Sequence, residues 1–569
     1  MTQETRQCQN CHGSFIIESE DFQFYEKIQV PPPTFCPKCR LQRRLAFFNL
    51  TNLYKRKCDL CQQEKISMYP PDSPYTVYCP QCWWSDKWDP TDYGVDYDFS
   101  RPFFDQYKEL WQKVPSIGLS IDTPSAQTSP HTNHAGHLKN DYLLFHADYA
   151  EDSAYGFFHL HTKSVFDSSA VMSSELCYDM MNVFKSNHCI GGRNQVVESL
   201  DCAFVRDAQG CQSCFGSANI RNQKYQFFNQ QLTKDQYQEK IKEYDLGSYQ
   251  SYQKVKKDAE NHWKKFPPKP SYEEFNVNST GNYIFQSKNA KECYEVTGAE
   301  DSKFLLLVSD PPIKDCYDIF SWGSNLTIAY EGSNVGENAS NLKFCNEAGL
   351  GQNGAEYCKL SNGGSNHFGC VSFKKGEYII FNKKYSKEEY FKLRQKIKKH
   401  MDEMPYVDKK DNVYKYGEFF PIELSPFAYN ETFANNFFPL IKEEIIKNGY
   451  AWRDEEKREH TTTIQSKNLP DHIKDVPENI LNEIIGCSTC SRGYRITEME
   501  LNFLKKMNLP IPRECPFCRI KEKINRWVKN MQSVERLCNK CSTSFKTPFT
   551  KEEYPLIYCK NCYLKEYIG

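Results

Sequence analysis

Three absences frame the sequence. No apolar run approaches the roughly 18 residues of a membrane span: the purely aliphatic stretches are as short as Leu305–Val308. Net charge is missing as well, since 72 basic and 73 acidic side chains leave −1. That excludes a globally basic nucleic-acid coat and an acidic solvating chain. No catalytic triad signature, phosphate loop or kinase set is present. Gly349-Leu-Gly-Gln-Asn-Gly354 meets only part of the dinucleotide fingerprint and reads as turn glycines. The first residues, Met-Thr-Gln-Glu-Thr-Arg-Gln-Cys, hold no apolar stretch, so a cytoplasmic location with reduced thiols is expected. An aromatic content of 14% argues against a disordered chain.

Cysteine is what the sequence has in abundance. Of 26 cysteines, 16 form Cys-x-x-Cys pairs near the two ends. They are Cys8/Cys11, Cys36/Cys39, Cys58/Cys61 and Cys79/Cys82, then Cys487/Cys490, Cys515/Cys518, Cys538/Cys541 and Cys559/Cys562. Two intervening residues let one knuckle aim two sulfurs at one ion, and two knuckles complete a tetrahedral site that suits zinc. The count predicts four closed, structural zinc ions. Sequential pairing within 18–25 residues is preferred over interleaving, because the loops close cheaply. The ends repeat each other: Cys11 to Cys36 and Cys490 to Cys515 both span 25 residues. Cys36-Pro-Lys-Cys39-Arg40 also aligns with Cys515-Pro-Phe-Cys518-Arg519. Each second knuckle leads into a helical pattern, as in zinc-ribbon or treble-clef modules.

Basic residues cluster after these knuckles. Arg40, Arg43, Arg44, Lys55, Arg56 and Lys57 at one end, and Arg519, Lys523 and Arg526 at the other, are candidate phosphate contacts. Phe47, Phe48, Tyr54 and Trp527 lie among them as candidate stacking groups. Solvated helix faces over core aromatics, or a protein contact, explain the same pattern.

Between Asn140 and Asn382 another rhythm takes over. Tyr142, Tyr155, Phe166, Tyr178, Cys189, Cys202, Cys214 and Tyr225 recur every 11–13 residues. A short strand and polar corner of that length reads as half a coil of a parallel β-helix, with 23–25 residues per coil. Cys177 and Cys202, Cys189 and Cys214, and Cys293 and Cys316 are then one coil apart, as an interior row of small apolar groups. The repeat is duplicated: Asn222–Asn229 matches Lys375–Asn382, and each is followed by a capping box, Thr233-Lys-Asp-Gln236 and Ser386-Lys-Glu-Glu389.

The expected fold is mainly β, a duplicated β-solenoid flanked by tandem zinc modules. Its segments are 1–90 (zinc modules), 91–130 (helical linker), 131–232 (first solenoid), 233–275 (helix and linker), 276–385 (second solenoid), 386–486 (helical and aromatic region) and 487–569 (zinc modules). His131, His134 and His137 read as a polar solenoid cap, and His159 and His161 as neighbours on one strand face. Asp148, Asp152 and Asp167 are candidate groove carboxylates.

Together Cys36-Pro-Lys-Cys-Arg-Leu-Gln-Arg-Arg-Leu45, Leu53–Cys61, Tyr78–Trp88, the Cys-Tyr corners, Phe427–Thr432 and Gly449-Tyr-Ala-Trp452 are specific. The chain resembles, over nearly its whole length, an uncharacterised group of multi-zinc-ribbon proteins abundant in candidate-phyla-radiation bacteria. The resemblance implies no catalytic residues. The leading expectation is a non-enzymatic cytoplasmic scaffold that binds a macromolecule through its zinc modules, RNA or a ribonucleoprotein before protein, and no membrane. The alternatives are a protein–protein scaffold and an enzyme with a β-helix groove acting on a saccharide.

Overall fold

The computed structural model describes residues 2–122, 125–455 and 461–567. The chain is mainly β, a β-solenoid in two parts with cysteine-rich modules at both ends. It forms two compact units. The first combines Met1–Leu119 with Glu273–Asp454, the second Ser120–Tyr272 with Glu455–Gly569. Each unit thus joins one pair of cysteine modules to one solenoid, and the pairing is crossed. The N-terminal modules pack with the second solenoid, and the C-terminal modules with the first.

The strands of both solenoids are parallel, as expected, but the coil is half the expected length. Tyr142 is in register with Ala154, Phe157 with Ser169, and Ser169 with Met181, an offset of 12 residues. In the second solenoid the offsets are 11–14, as in Glu273↔Ile284, Tyr294↔Leu306, Tyr317↔Tyr330 and Lys303↔Tyr317. The cause is a backbone period of three. Every third residue from His134 to Asn194 has positive φ near the left-handed helical region. Such a residue turns the chain sharply. Most L-residues adopt it at a cost of about 1–2 kcal/mol, with Asn, Asp and Gly most tolerant. Four triplets therefore close a coil in 12 residues.

The residue after each left-handed position points inward. Cys177, Met180, Val183 and Ser186 line one coil, and Cys202, Val205, Ala208 and Cys211 another; all eight are buried. At roughly 25 cal/mol per Å² of apolar surface, these rows and their counterparts are the main favourable term in each solenoid. Cys177, Cys189, Cys202 and Cys214 form one interior row, free thiols stacked one coil apart. The interior reading of the cysteines holds, but Cys177 and Cys202 are two coils apart. Cys293 and Cys316 fall in different rows. Tyr142, Phe166 and Tyr178 share a column, whereas Cys202 belongs one residue upstream, on the inward side.

Both solenoids end alike. Asn229 accepts from the Ala218 N–H at 3.0 Å and donates to its carbonyl at 2.7 Å. Asn382 does the same to Val371, at 2.8 and 2.9 Å. Each side-chain amide stands in for the missing next strand and closes an open sheet edge. A two-stranded antiparallel ending and a capping-box helix follow, Lys234–Lys242 in one case and Lys387–Glu403 in the other.

Candidate metal centres and their docking faces

The first module opens with a hairpin, Glu4–Gln7 paired with Ser14–Ile17, whose turn carries Cys8 and Cys11. Helix α1 (Ser19–Lys27) follows, and Cys36 then caps helix α2 (Pro37–Leu45), with Pro37 at its first position. The C-terminal copy has the same order, with α3 (Glu498–Met507) and α4 (Pro516–Asn530). The second module of each pair repeats the hairpin and knuckle, with hairpins Tyr54–Lys57/Glu64–Ser67 and Val534–Leu537/Ser544–Thr547.

The sixteen cysteines gather as four groups: Cys8/Cys11/Cys36/Cys39, Cys58/Cys61/Cys79/Cys82, Cys487/Cys490/Cys515/Cys518 and Cys538/Cys541/Cys559/Cys562. Within each, the sulfurs lie within 4.8 Å of one another. Pairing is sequential. Sulfur–sulfur distances across knuckles are 3.7 Å for Cys11–Cys36 and Cys490–Cys515, 3.9 Å for Cys487–Cys518 and 3.6 Å for Cys541–Cys559. A tetrahedron with metal–sulfur bonds of ~2.3 Å has edges of ~3.8 Å, so the groups fit a four-coordinate ion. Backbone N–H groups point at the sulfurs: Cys79 N–H donates to Cys58 Sγ and Cys515 N–H to Cys487 Sγ, both at 3.2 Å. Burial alone would raise these two thiols, but such backbone donors outweigh it and bring each down to about 7. Among the described residues no other group of three or more Cys, His, Asp or Glu side chains converges in this way.

Most of the candidate phosphate contacts face inward. Arg40, Arg43 and Arg44 are each 1% exposed. Arg40 pairs with Asp318 at 2.9 Å, Arg44 with the same carboxylate at 3.1 Å, and Arg43 with Glu331 and Glu418 at 2.9 Å each. Burial pushes the Glu331 carboxyl up to about 7 even beside Arg43. Arg519 pairs with Asp167 and, at 2.9 Å, with Glu500. Lys523 reaches Asp179 at 2.5 Å, where Arg193 and Lys256 also converge. Burial would raise Asp179, but these three cations hold it well below the usual carboxylate range. Arg56 is buried too, donating to the Pro70 and Tyr75 carbonyls and pairing with Asp59. For these six residues the nucleic-acid expectation is corrected: each guanidinium or ammonium is enclosed by its own unit, out of reach of an external phosphate. Lys55 and Lys57 are exposed, and Arg526 is half-buried against Glu522. Phe47, Phe48 and Trp527 are core residues, not open stacking groups.

The two docking faces correspond at four positions. Adding 479 converts Asp21, Phe24, Arg40 and Arg44 into Glu500, Phe503, Arg519 and Lys523. Phe24 stacks on Tyr317 at 3.8 Å, and Phe503 on Phe166 at 4.2 Å. Each partner ring directly precedes the first docking carboxylate, Asp318 or Asp167. One coil earlier Phe304 lies under Arg40 and Tyr155 under Arg519, at 5.3 and 4.6 Å. The carboxylates Asp318, Glu331, Asp167 and Asp179 all occupy left-handed corner positions on successive coils. The sequence held this signal as an acid one residue after an aromatic, but only the three-residue period shows that it faces outward.

The three candidate groove carboxylates have separate partners. Asp148 contacts His137 at 2.8 Å, Asp152 accepts from Asn140 at 2.7 Å, and Asp167 is held by Arg519. His159 and His161 do not share a face. His159 points inward and donates from Nε2 to the Ser168 carbonyl at 2.9 Å, while His161 is an exposed corner residue. The three-residue period has replaced the alternation of an ordinary strand. Among the described residues no helix is long and apolar enough to cross a membrane. No protein-family model matches the sequence, and no curated protein matches it either.

Proposed function

We propose that the chain is a zinc-stabilised, non-enzymatic scaffold in which each pair of zinc modules clamps one solenoid, and that the scaffold engages RNA or a ribonucleoprotein. The observation that carries the scaffold reading is the buried ion-pair face beneath α2 and α4. It gives the first module of each pair a structural task, holding the solenoid at a fixed register. Four thiolates per site with no open position support zinc in a structural role, since a closed tetrahedral site leaves nowhere for a substrate or activated water. The RNA reading rests on what the clamps leave uncovered: Lys38, Lys57 and Lys55, the last beside Glu64 at 3.9 Å, remain exposed on the N-terminal modules.

Elemental analysis of the purified chain tests the metal, with four zinc ions per chain expected. Binding of single-stranded RNA as a function of salt tests the partner. Lys55→Gln with Lys57→Gln is expected to lower the salt slope by up to about 2. An unchanged slope, or capture of protein alone from the native host, would contradict the RNA reading.

A further inference from the structure

On the first solenoid, three rings at one corner stack on successive coils. His137 lies 4.2 Å from Tyr149 with ring planes 4° apart, and Tyr149 lies 4.7 Å from His161 at 20°. The row is the left-handed corner position, repeated every 12 residues. Its next member is Ser173, exposed and without a ring. No ring of a described residue stacks on the other face of His161. The serine thus leaves one ring position vacant at the end of a continuous stack. It opens into a groove of about 550 Å³ that also takes in Lys163 and Glu175. Glu151 sits between Lys139 and Lys163, at 2.8 and 3.4 Å, and ties those lysines down. Glu175, on the coil that carries Ser173, is exposed beside the vacant position.

We propose that this corner binds a nucleobase, stacked on His161 over Ser173, with the Glu175 carboxylate accepting from its exocyclic amine. A planar heteroaromatic continues a stack of this pitch, and stacking of a base on an aromatic side chain contributes about 1–3 kcal/mol. A carboxylate at the base edge favours bases that present an N–H₂ donor. A saccharide has no π face with which to continue the stack. The site is apart from the zinc modules and goes beyond their proposed RNA contact. The base comes from a free nucleotide or from a single strand.

The test uses the full chain, with AMP, a short oligoadenylate, ribose 5-phosphate and a neutral disaccharide as probes in calorimetric titration. Ser173→Tyr fills the vacant position with the protein's own ring. Tyr149 already adopts the same positive φ at the equivalent corner, so the fold accommodates it. Saturable binding of AMP or of oligoadenylate, weakened at least tenfold by both His161→Ala and Ser173→Tyr, is expected. Binding of AMP alone identifies a nucleotide site, and binding of the oligomer alone a strand site. Retention of affinity in Ser173→Tyr, equal binding of ribose 5-phosphate, preference for the disaccharide, or no saturable binding would each overturn the proposal. Lys55→Gln with Lys57→Gln separates the two RNA readings: loss of oligoadenylate binding there, with none at His161, would place all contact on the zinc modules.

Discussion

The two clamps solve the same problem with different chemistry. In the N-terminal modules three arginines meet three carboxylates: Arg40 and Arg44 share Asp318, and Arg43 bridges Glu331 and Glu418. In the C-terminal modules the position of Arg43 is Glu522, and Arg44 becomes Lys523. Cations from the solenoid and from the helix Tyr249–Trp263 make up the balance, because Arg193 and Lys256 join Lys523 at Asp179. The register of docking is therefore kept by one arginine after the Cys-Pro-x-Cys knuckle, one aromatic on α1 or α3, and one corner carboxylate. The rest of the charge is distributed as local packing allows. A buried ion pair adds little net stability once desolvation is counted, but an orphaned partner is costly. Such pairs make mispositioned docking expensive.

Metal removal should produce the largest effects and separate the modules from the solenoids. Structural zinc supplies roughly 10–16 kcal/mol of folding free energy in small modules. Chelation should abolish amide protection in residues 1–90 and 487–569 and leave the ladders of both solenoids protected, as hydrogen exchange would record. Within the four sites, release should be fastest at Cys538/Cys541/Cys559/Cys562, where only Cys538 is buried, and slowest at the two N-terminal sites, Cys8/Cys11/Cys36/Cys39 and Cys58/Cys61/Cys79/Cys82, where three cysteines are buried in each. Simultaneous loss of solenoid protection would mean that the coils do not stand on their own contacts.

Orphaning a docking carboxylate comes next, at roughly 3–5 kcal/mol. Arg519→Gln should cost more than Arg40→Gln. Asp167 and Glu500 both lose Arg519, whereas Asp318 keeps Arg44. Denaturant titration of each variant, read by exchange in its own unit, checks the order; equal losses would show that the two clamps are not the unequal pair described. The solenoid caps are a smaller contrast. Asn382→Ala leaves a buried N–H and carbonyl of Val371 unpaired, at roughly 1–3 kcal/mol, while half-buried Asn229 lets water replace the amide. Asn229→Ala should therefore cost less, by the same titration.

The last effect grows only as the pH falls, and it should be shared. His159 and His367 point into their solenoids, donating to the Ser168 and Gly376 carbonyls, and burial lowers both to about 4. The unfolded chain takes up protons near the ordinary value of ~6.5, and the folded chain only near 4. Stability from each histidine is thus present above ~6.5 and lost as pH falls towards 4, at no more than about 1.4 kcal/mol per pH unit for one proton. His159→Gln and His367→Gln should each flatten the acid limb for their own unit by the same amount.

The metal groups were fully legible, because a knuckle is local in sequence and its spacing repeats. The solenoid was legible in kind but not in pitch. A 12-residue rhythm is half a coil if the backbone is ordinary strand and a whole coil if every third residue is left-handed. Residues such as Tyr155, Phe158 and Ala170 give no hint that they adopt positive φ. Cys177, Met180, Val183 and Ser186 did carry the signal, as buried positions three apart. The fate of Arg40, Arg43 and Arg44 was not legible. Their carboxylates come from residues 318, 331 and 418, and exposed and buried arginines look alike until the partner is placed.

The central claim is the crossed pairing of modules and solenoids, and zero-length carbodiimide cross-linking of the intact chain tests it most directly. Two lysine–carboxylate pairs of the first unit are accessible: Lys27–Asp315 at 2.8 Å and Lys383–Asp96 at 2.7 Å. Mass spectrometry should recover both linkages, joining residues 1–119 to the second solenoid. Recovery of cross-links from Lys27 or Asp96 to residues 131–232 in their place would contradict the crossed architecture.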